Sequence, residues 1–314
     1  MTSFIAGRVL QLLPVLLGIS IVTWALVALA PGDASRIYAA QFSEMGRPTA
    51  EEVERARVEL GLDGNIVQQY WVWAQRAVRG DFGRSFSTGR PVRDEILAAL
   101  PATVQLTAAA LVVMLAVGLP LGMLAALYRD GPVDMAARLV ALIGGAIPSF
   151  WLSLVLIWLF AVQLNWFPSL GRGGLRHLVL PALALGLAGA GTYTRLLRAS
   201  MLDALSQDYI IAARARGVGG FGVVFRHALR NALIPVVTQF GLTVGALLSG
   251  AIVVETIFSW PGMGRLAVDA IYRKDYPSLQ AFVLFSALVY VGASFLVDVL
   301  YRIVDPRIGS RPAA

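Results

Sequence analysis

Six stretches of this chain are apolar on every side, and its polar residues are confined to the segments between them. The stretches run from Val9 to Ala30, Ala102 to Leu127, Leu139 to Leu164, His177 to Leu197, Ala232 to Glu255 and Gln280 to Tyr301. Each reaches the ~20 residues that an α-helix needs to cross the ~30 Å hydrocarbon core of a bilayer. The pattern predicts an all-α polytopic membrane protein with six transmembrane helices. The first run exceeds the apolar stretch of a signal peptide, and Pro31 would follow the only small-residue cut point, after Ala30. An uncleaved first helix is therefore expected.

Six crossings put both ends of the chain on one side. Apart from the long loop after the first span, most loop arginines fall on that same side, among them Arg8, Arg129, Arg138, Arg198, Arg214, Arg216, Arg226 and Arg230. The positive-inside rule makes this side cytoplasmic. Residues 31–100 are then an external cap between the first helix (1–30) and a five-helix core (101–314) that carries a cytoplasmic loop at 198–235. The cap reads as folded. Glu51 to Gly61 has helical patterning with acids in its first turn and Thr49 as N-cap. Gln68 to Val78 is amphipathic, with Tyr70, Trp71 and Trp73 as interfacial anchors.

Within the spans, Pro120 and Pro148 free backbone carbonyls and kink helices, which makes both candidates for a pathway or gate. Gly118 with Gly122, and Gly241 with Gly245, are small-xxx-small pairs suited to close helix packing. Glu255 lies near the external end of the fifth span, and an acid at that depth is a third pathway candidate. Asp298 stands one turn from Arg302 and reads as its ion-pair partner.

Composition narrows the function. The chain has 314 residues, 57% hydrophobic and 14% charged, against about 25% charged in soluble domains. Its +7 charge follows the loops between apolar runs, so nucleic-acid binding is not expected. There is no cysteine, which removes disulfides and thiolate chemistry, and His177 and His227 are the only histidines. No metal or cofactor site is expected. Lys274 is the only lysine and precedes Asp275, so the chain lacks the Gly-Lys-Ser/Thr core of a P-loop. Neither histidine lies at membrane depth beside a serine, which argues against a membrane-embedded protease.

The remaining feature is an Arg- and Ala-rich island between the fourth and fifth spans. Asp208 to Pro235 reads DYIIAARARGVGGFGVVFRHALRNALIP. Met201 to Gly217 is expected to be one helix that breaks at Gly217, Gly219 and Gly220 and resumes from Phe221 to Leu233. Ala212, Ala213 and Ala215 beside Arg214 and Arg216 would then form an exposed face that another protein's backbone can approach closely.

These residues resemble the EAA-loop of the membrane subunits of binding-protein-dependent ABC importers, in the peptide/nickel branch. Asp208-Tyr209-Ile210, Ala213-Arg214-Ala215, Gly217, Arg226-His227, Leu229-Arg230-Asn231-Ala232 and Pro235 carry the likeness. Ile211 stands where the name-giving Glu would be. GDFGRSF (Gly80 to Phe86), LPAT (Leu100 to Thr103), IPSFW (Ile147 to Trp151), RASMLD (Arg198 to Asp203), ETIFSWPGMGR (Glu255 to Arg265), DYP (Asp275 to Pro277) and DPRI (Asp305 to Ile308) extend it, in order, over nearly the whole chain.

The resemblance implies a type I importer permease in the bacterial inner membrane. It implies a homologous second permease that shares the translocation pathway, two ATPase subunits, and an extracytoplasmic solute-binding protein. ATP and Mg²⁺ would be bound by the ATPase chains, not by this one. A coupling helix at about Ser206 to Val218 would dock on an ATPase through Asp208, Tyr209, Ala212, Ala213, Arg214, Ala215, Arg216 and Gly217. The cargo would be a small peptide, or nickel handed over as a chelate. The competing reading is a self-sufficient secondary transporter or channel. It needs ionisable groups within the spans for coupling, and these spans carry them only near their ends.

Overall fold

The computed structural model describes residues 2–29, 33–43, 47–249 and 251–304. The expected Asp298–Arg302 pair and the Asp305 to Ile308 motif lie outside the described side chains. Among the described residues the regular structure is helical, with one isolated bridge between Arg84 and Pro91.

Thirteen helices are used below. They are α1 (Thr2–Ala28), α2 (Ala34–Phe42), α3 (Ala50–Leu60), α4 (Ile66–Val78), α5 (Val92–Leu127), α6 (Pro132–Ala146) and α7 (Ser149–Gln163). They continue with α8 (Leu175–Leu205), α9 (Asp208–Ala215), α10 (Gly220–Leu248), α11 (Ile252–Ile257), α12 (Met263–Tyr272) and α13 (Tyr276–Val304). Helices α5, α8, α10 and the first twenty residues of α13 are each long and apolar enough to cross a membrane; α6 and α7 together make up to a fifth crossing. Within α1 the apolar stretch is Leu12–Ala25.

The helices overrun the apolar stretches at their polar ends. α5 begins at Val92, ten residues before the expected Ala102, because its first turns bury one stripe: Val92, Ile96 and Ala99 are all buried. That i, i+4, i+7 spacing marks one helical face. A count of apolar residues misses it because the other faces are polar.

The expected third span is not one helix. α6 and α7 meet at a bend of 98°. Pro148 has no N–H to continue the ladder and disfavours helical backbone at the residue before it. Accordingly Ile147 (ψ 121°) and Pro148 (ψ 138°) are both extended. The end of the fifth span also differs: α10 stops at Leu248 and α11 is a separate short helix.

Contacts divide the chain into two units. One comprises Met1–Thr103, Leu248–Ile252 and Pro261–Val291. Here Thr49 caps α3 as expected: its side chain accepts from the Glu52 N–H and the Glu52 carboxylate accepts from the Thr49 N–H. Asn65 and Gln68 repeat this capping box on α4. Tyr70 ties α4 to α1 through its hydroxyl, 2.9 Å from Ser20 Oγ, and through an edge-on contact with Trp24. α2 was not anticipated from the sequence. Its N-cap is Asp33, whose carboxylate accepts from the Ser35 N–H.

The other unit comprises Val104–Leu247, Val253–Trp260 and Gly292–Ala314, with α8 at its centre. Gly118 and Gly122 of α5 pack against α8. A Cβ at Gly122 would fall 2.7 Å from the Thr194 carbonyl oxygen and 3.0 Å from Leu197 Cβ. Gly191 of α8 meets α6, and a Cβ there would lie 2.3 Å from the Ala141 carbonyl oxygen. Gly122→Val is expected to cost about 1–3 kcal/mol or more by overpacking, whereas Gly18→Ala, with nothing within 4 Å of the added carbon, should cost nothing. Thermal unfolding of the two purified variants checks this; equal midpoints would refute the packing role of Gly122.

Candidate functional site

The Arg-rich loop folds into a short helix held between two long ones. α8 stops at Leu205, where the Ser206 N–H bonds back to the Leu202 carbonyl at 3.2 Å. The single helix expected from Met201 to Gly217 is therefore broken at Ser206–Gln207, and α9 starts afresh at Asp208. Asp208 places a carboxylate in the first turn and Arg214 a cation in the last, both favourable to the helix dipole. After α9 the Gly217 N–H reaches the Arg214 carbonyl at 2.9 Å and the Val218 N–H reaches Ala213 at 3.1 Å. Gly217 has φ +81°, a left-handed conformation that favours glycine.

Eight residues cannot hold a helix in water unaided. α9 is held by its inner face. Ile210 and Ala213, three residues apart, are wholly buried. Ile210 belongs to a core with Met201, Ala204, Val223, Ala228 and Ala232. Asn231 Nδ2 donates to both Tyr209 Oη and the His227 carbonyl at 3.0 Å, so the outgoing helix grips α9. α10 opens with a π-helical segment, Val223–Ala228.

Of the expected contact residues, Asp208, Tyr209, Ala212, Arg214, Ala215, Arg216 and Gly217 are exposed, and Ala213 is not. The helical period turns Ala213 inward, so it positions the face instead of forming it. Ile211, at 63% exposure, and Phe221, at 76%, add apolar surface to the exposed side, with Phe221 stacked on Phe225. Aromatic and aliphatic groups among arginines have the composition of a protein–protein contact.

A buried ion pair fixes the helix that leads into this loop. Asp134, in the first turn of α6, is wholly buried. It accepts from Arg198 Nε at 2.6 Å and Nη2 at 2.7 Å, and from the Asp130 N–H at 3.0 Å; Arg138 Nε lies at 3.3 Å. Arg198 sits two turns before the end of α8. This pair was not anticipated from the sequence, where Asp134 shares its polar turn with Asp130, Arg129 and Arg138.

The pathway candidates sit on three different elements. Pro120 is exposed within α5, and Pro148 is exposed at the α6–α7 break. Glu255, in α11, is fully buried, with its carbonyl accepting from the Trp260 N–H at 2.8 Å. His177 has its Nδ1 buried without a hydrogen-bond partner among the described residues.

A second buried acid joins two motifs far apart in sequence. Asp275, of the Asp-Tyr-Pro motif, is 2% exposed. Its carboxylate accepts from Ser85 Oγ at 2.5 Å, the Phe86 N–H at 2.9 Å, Ser278 Oγ at 3.0 Å and Ser87 Oγ at 3.2 Å. Gly80 to Phe86 is thereby pinned to the start of α13.

The described chain thus has several membrane-length apolar helices, two of which flank an exposed Arg-bearing helix. Residues 118–310 match the binding-protein-dependent transport system inner membrane component, and residues 1–107 match the N-terminal region of such components. The chain is 41% identical over 308 residues to the glutathione transport system permease protein GsiC of Escherichia coli (strain K12), covering 98% of this chain and 99% of that one. The GsiC of Shigella dysenteriae serotype 1 (strain Sd197) is equally similar. Among solved structures, the MetNI methionine ABC transporter in an inward-facing form matches in fold, with TM-score 0.57, 21% identity, 67% of this chain and 96% of that chain. This chain belongs to the binding-protein-dependent transport system inner membrane components and is an ABC importer permease of the peptide/nickel type. It is a multi-pass inner-membrane protein.

Proposed function

We propose that the chain forms half of the translocation pathway of an ATP-driven importer of small peptides, glutathione-like tripeptides among them. It crosses the membrane six times with both ends in the cytoplasm and pairs with a second, homologous permease. It takes cargo from an extracytoplasmic solute-binding protein. The near full-length likeness to glutathione permeases favours a peptide over a nickel chelate. ATP and Mg²⁺ are handled by two ATPase subunits, in keeping with the missing P-loop.

The observation that carries the coupling role is the geometry of α9. It is too short to stand alone, is gripped by Ile210 and Ala213, and turns Tyr209, Ile211, Ala212, Ala215 and the arginines outward. A closing ATPase that pushes on it would push on α8 and α10 together. Pro148 and Pro120 are the pathway elements of this reading. Glu255, buried as it is, would join them only after a change of conformation.

The test uses Ala212→Asp. Ala213→Asp would bury a charge and damage folding, so its effect would say nothing about docking. Ala212→Asp adds a carboxylate to an exposed position and should leave thermal unfolding of the purified chain unchanged. Recovery of the ATPase subunits with it should drop, and ATP-driven glutathione uptake should fall at least about tenfold, the equivalent of ~1.4 kcal/mol in coupling. Uptake at the unsubstituted rate would reject the coupling role of α9.

A further inference from the structure

The unit that contains α2, α3 and α4 forms a half-open cavity of about 410 Å³. That is within the usual size of small-molecule sites, roughly 300–1,000 Å³. Trp24, Trp73, Phe86 and Tyr276 supply aromatic wall. The same wall carries charges of both signs: the carboxylates of Asp33 and Asp81, and the guanidiniums of Arg57, Arg76 and Arg84.

Several of these groups are held in place. Asp33 accepts from the Ser35 N–H at 3.0 Å and lies 3.4 Å from Arg57 Nη2. Asp81 accepts from the Gly83 N–H at 3.0 Å, and Arg84 donates to the Gly89 carbonyl at 2.9 Å. Arg76 makes no ion pair among the described residues, so its donors are open to a ligand.

Ser35 is the decisive group. It lines the cavity, is 0% exposed, and its Oγ has no hydrogen-bond partner among the described residues. A buried hydroxyl without a partner is costly, and native structures seldom keep one unless something else satisfies it. Ser35 is also the second residue of the nine-residue α2, whose N-terminal end borders the same space. That end of the helix is already capped by the Asp33 carboxylate, so the open donor there is the Ser35 hydroxyl.

We infer that this cavity is a receiving site for a short zwitterionic peptide, formed by the permease itself. Arg76 and the Ser35 hydroxyl take a carboxylate. Asp81 takes the ammonium group, and the aromatic walls cover the side chains. A simple anion would face both carboxylates, and a bare cation would face three arginines; a solute with both charges suits the set. The inference rests on the transport reading above only for how such a solute reaches the chain.

The test is direct binding of radiolabelled dialanine and glutathione to the full chain in lipid nanodiscs, with no solute-binding protein present. The expected result is saturable binding, lost for N-acetyl-dialanine amide, which has neither charge. Arg76→Gln and Ser35→Ala should each weaken binding about threefold to tenfold. Ser35→Ala removes only an unpartnered hydroxyl, so its thermal unfolding should match the parent or exceed it, which separates lost binding from lost folding. No saturable binding to the parent chain, or binding that neither substitution weakens, overturns the inference. So does a Ser35→Ala defect confined to docking of the solute-binding protein. Peptide uptake in cells without binding in nanodiscs defeats this site alone. Binding in nanodiscs without peptide uptake supports the site and defeats the peptide-import reading.

Discussion

Asp134→Ala is expected to destabilise the loop-bearing unit by about 3–5 kcal/mol, the usual cost of stripping one partner from a buried ion pair. The substitution leaves the Arg198 guanidinium, with a side chain only 20% exposed, facing the empty place of a carboxylate that met it at 2.6 and 2.7 Å. Arg138 cannot compensate, because it carries the same sign. Arg198→Lys keeps the charge but loses the two-pronged geometry, so it should fall between parent and Asp134→Ala. The measurement is the unfolding midpoint in detergent, together with protease cleavage after Arg214 or Arg216. Early cleavage there would follow if the pair sets the α8 end from which α9 departs. An Asp134→Ala chain with parental midpoint and parental cleavage would remove the pair from the list of supports.

Asp275→Ala should act on the other unit, by about 3 kcal/mol or more. It strands the Phe86 N–H and three serine hydroxyls, and each buried donor left unpaired costs roughly 1–3 kcal/mol. Asp275→Asn preserves shape but turns an N–H₂ toward donors, so it should not restore stability. The expected signature is local: faster proteolysis and hydrogen exchange across Gly80 to Pro91, with α8 to α10 unaffected. Uniform loss across the chain, or none, would contradict the pinning role.

Much of the fold was legible in the sequence because apolar length is a strong signal. The spans in α5, α8, α10 and α13 follow from apolar length, and Thr49 as N-cap, the amphipathic α4 and the turn at Gly217 follow from residues close in sequence. What was not legible depended on meeting partners. The motifs around Gly80 and Asp275 were recognisable, but only folding brings Ser85 to a carboxylate 190 positions away. Ala213 looked like surface because its neighbours are small and charged, yet an eight-residue helix has few ways to pay for its own order and turns the face with Ile210 and Ala213 inward. Asp134 passed unnoticed for the opposite reason: an acid in a short turn with Asp130 and two arginines looks solvated until Arg198 is seen to fold over it.

The break at Pro148 has a consequence for the medium around it. Proline offers no N–H to the carbonyl of Gly144, four residues earlier, and the 98° turn leaves the last carbonyls of α6 without a continuing helix. Acyl chains cannot hydrogen-bond these oxygens. A bend of this kind is at home only where water or another polypeptide reaches it. The third hydrophobic stretch therefore carries a polar point in its middle, and a lipid-facing position for residues 144–148 is chemically disfavoured.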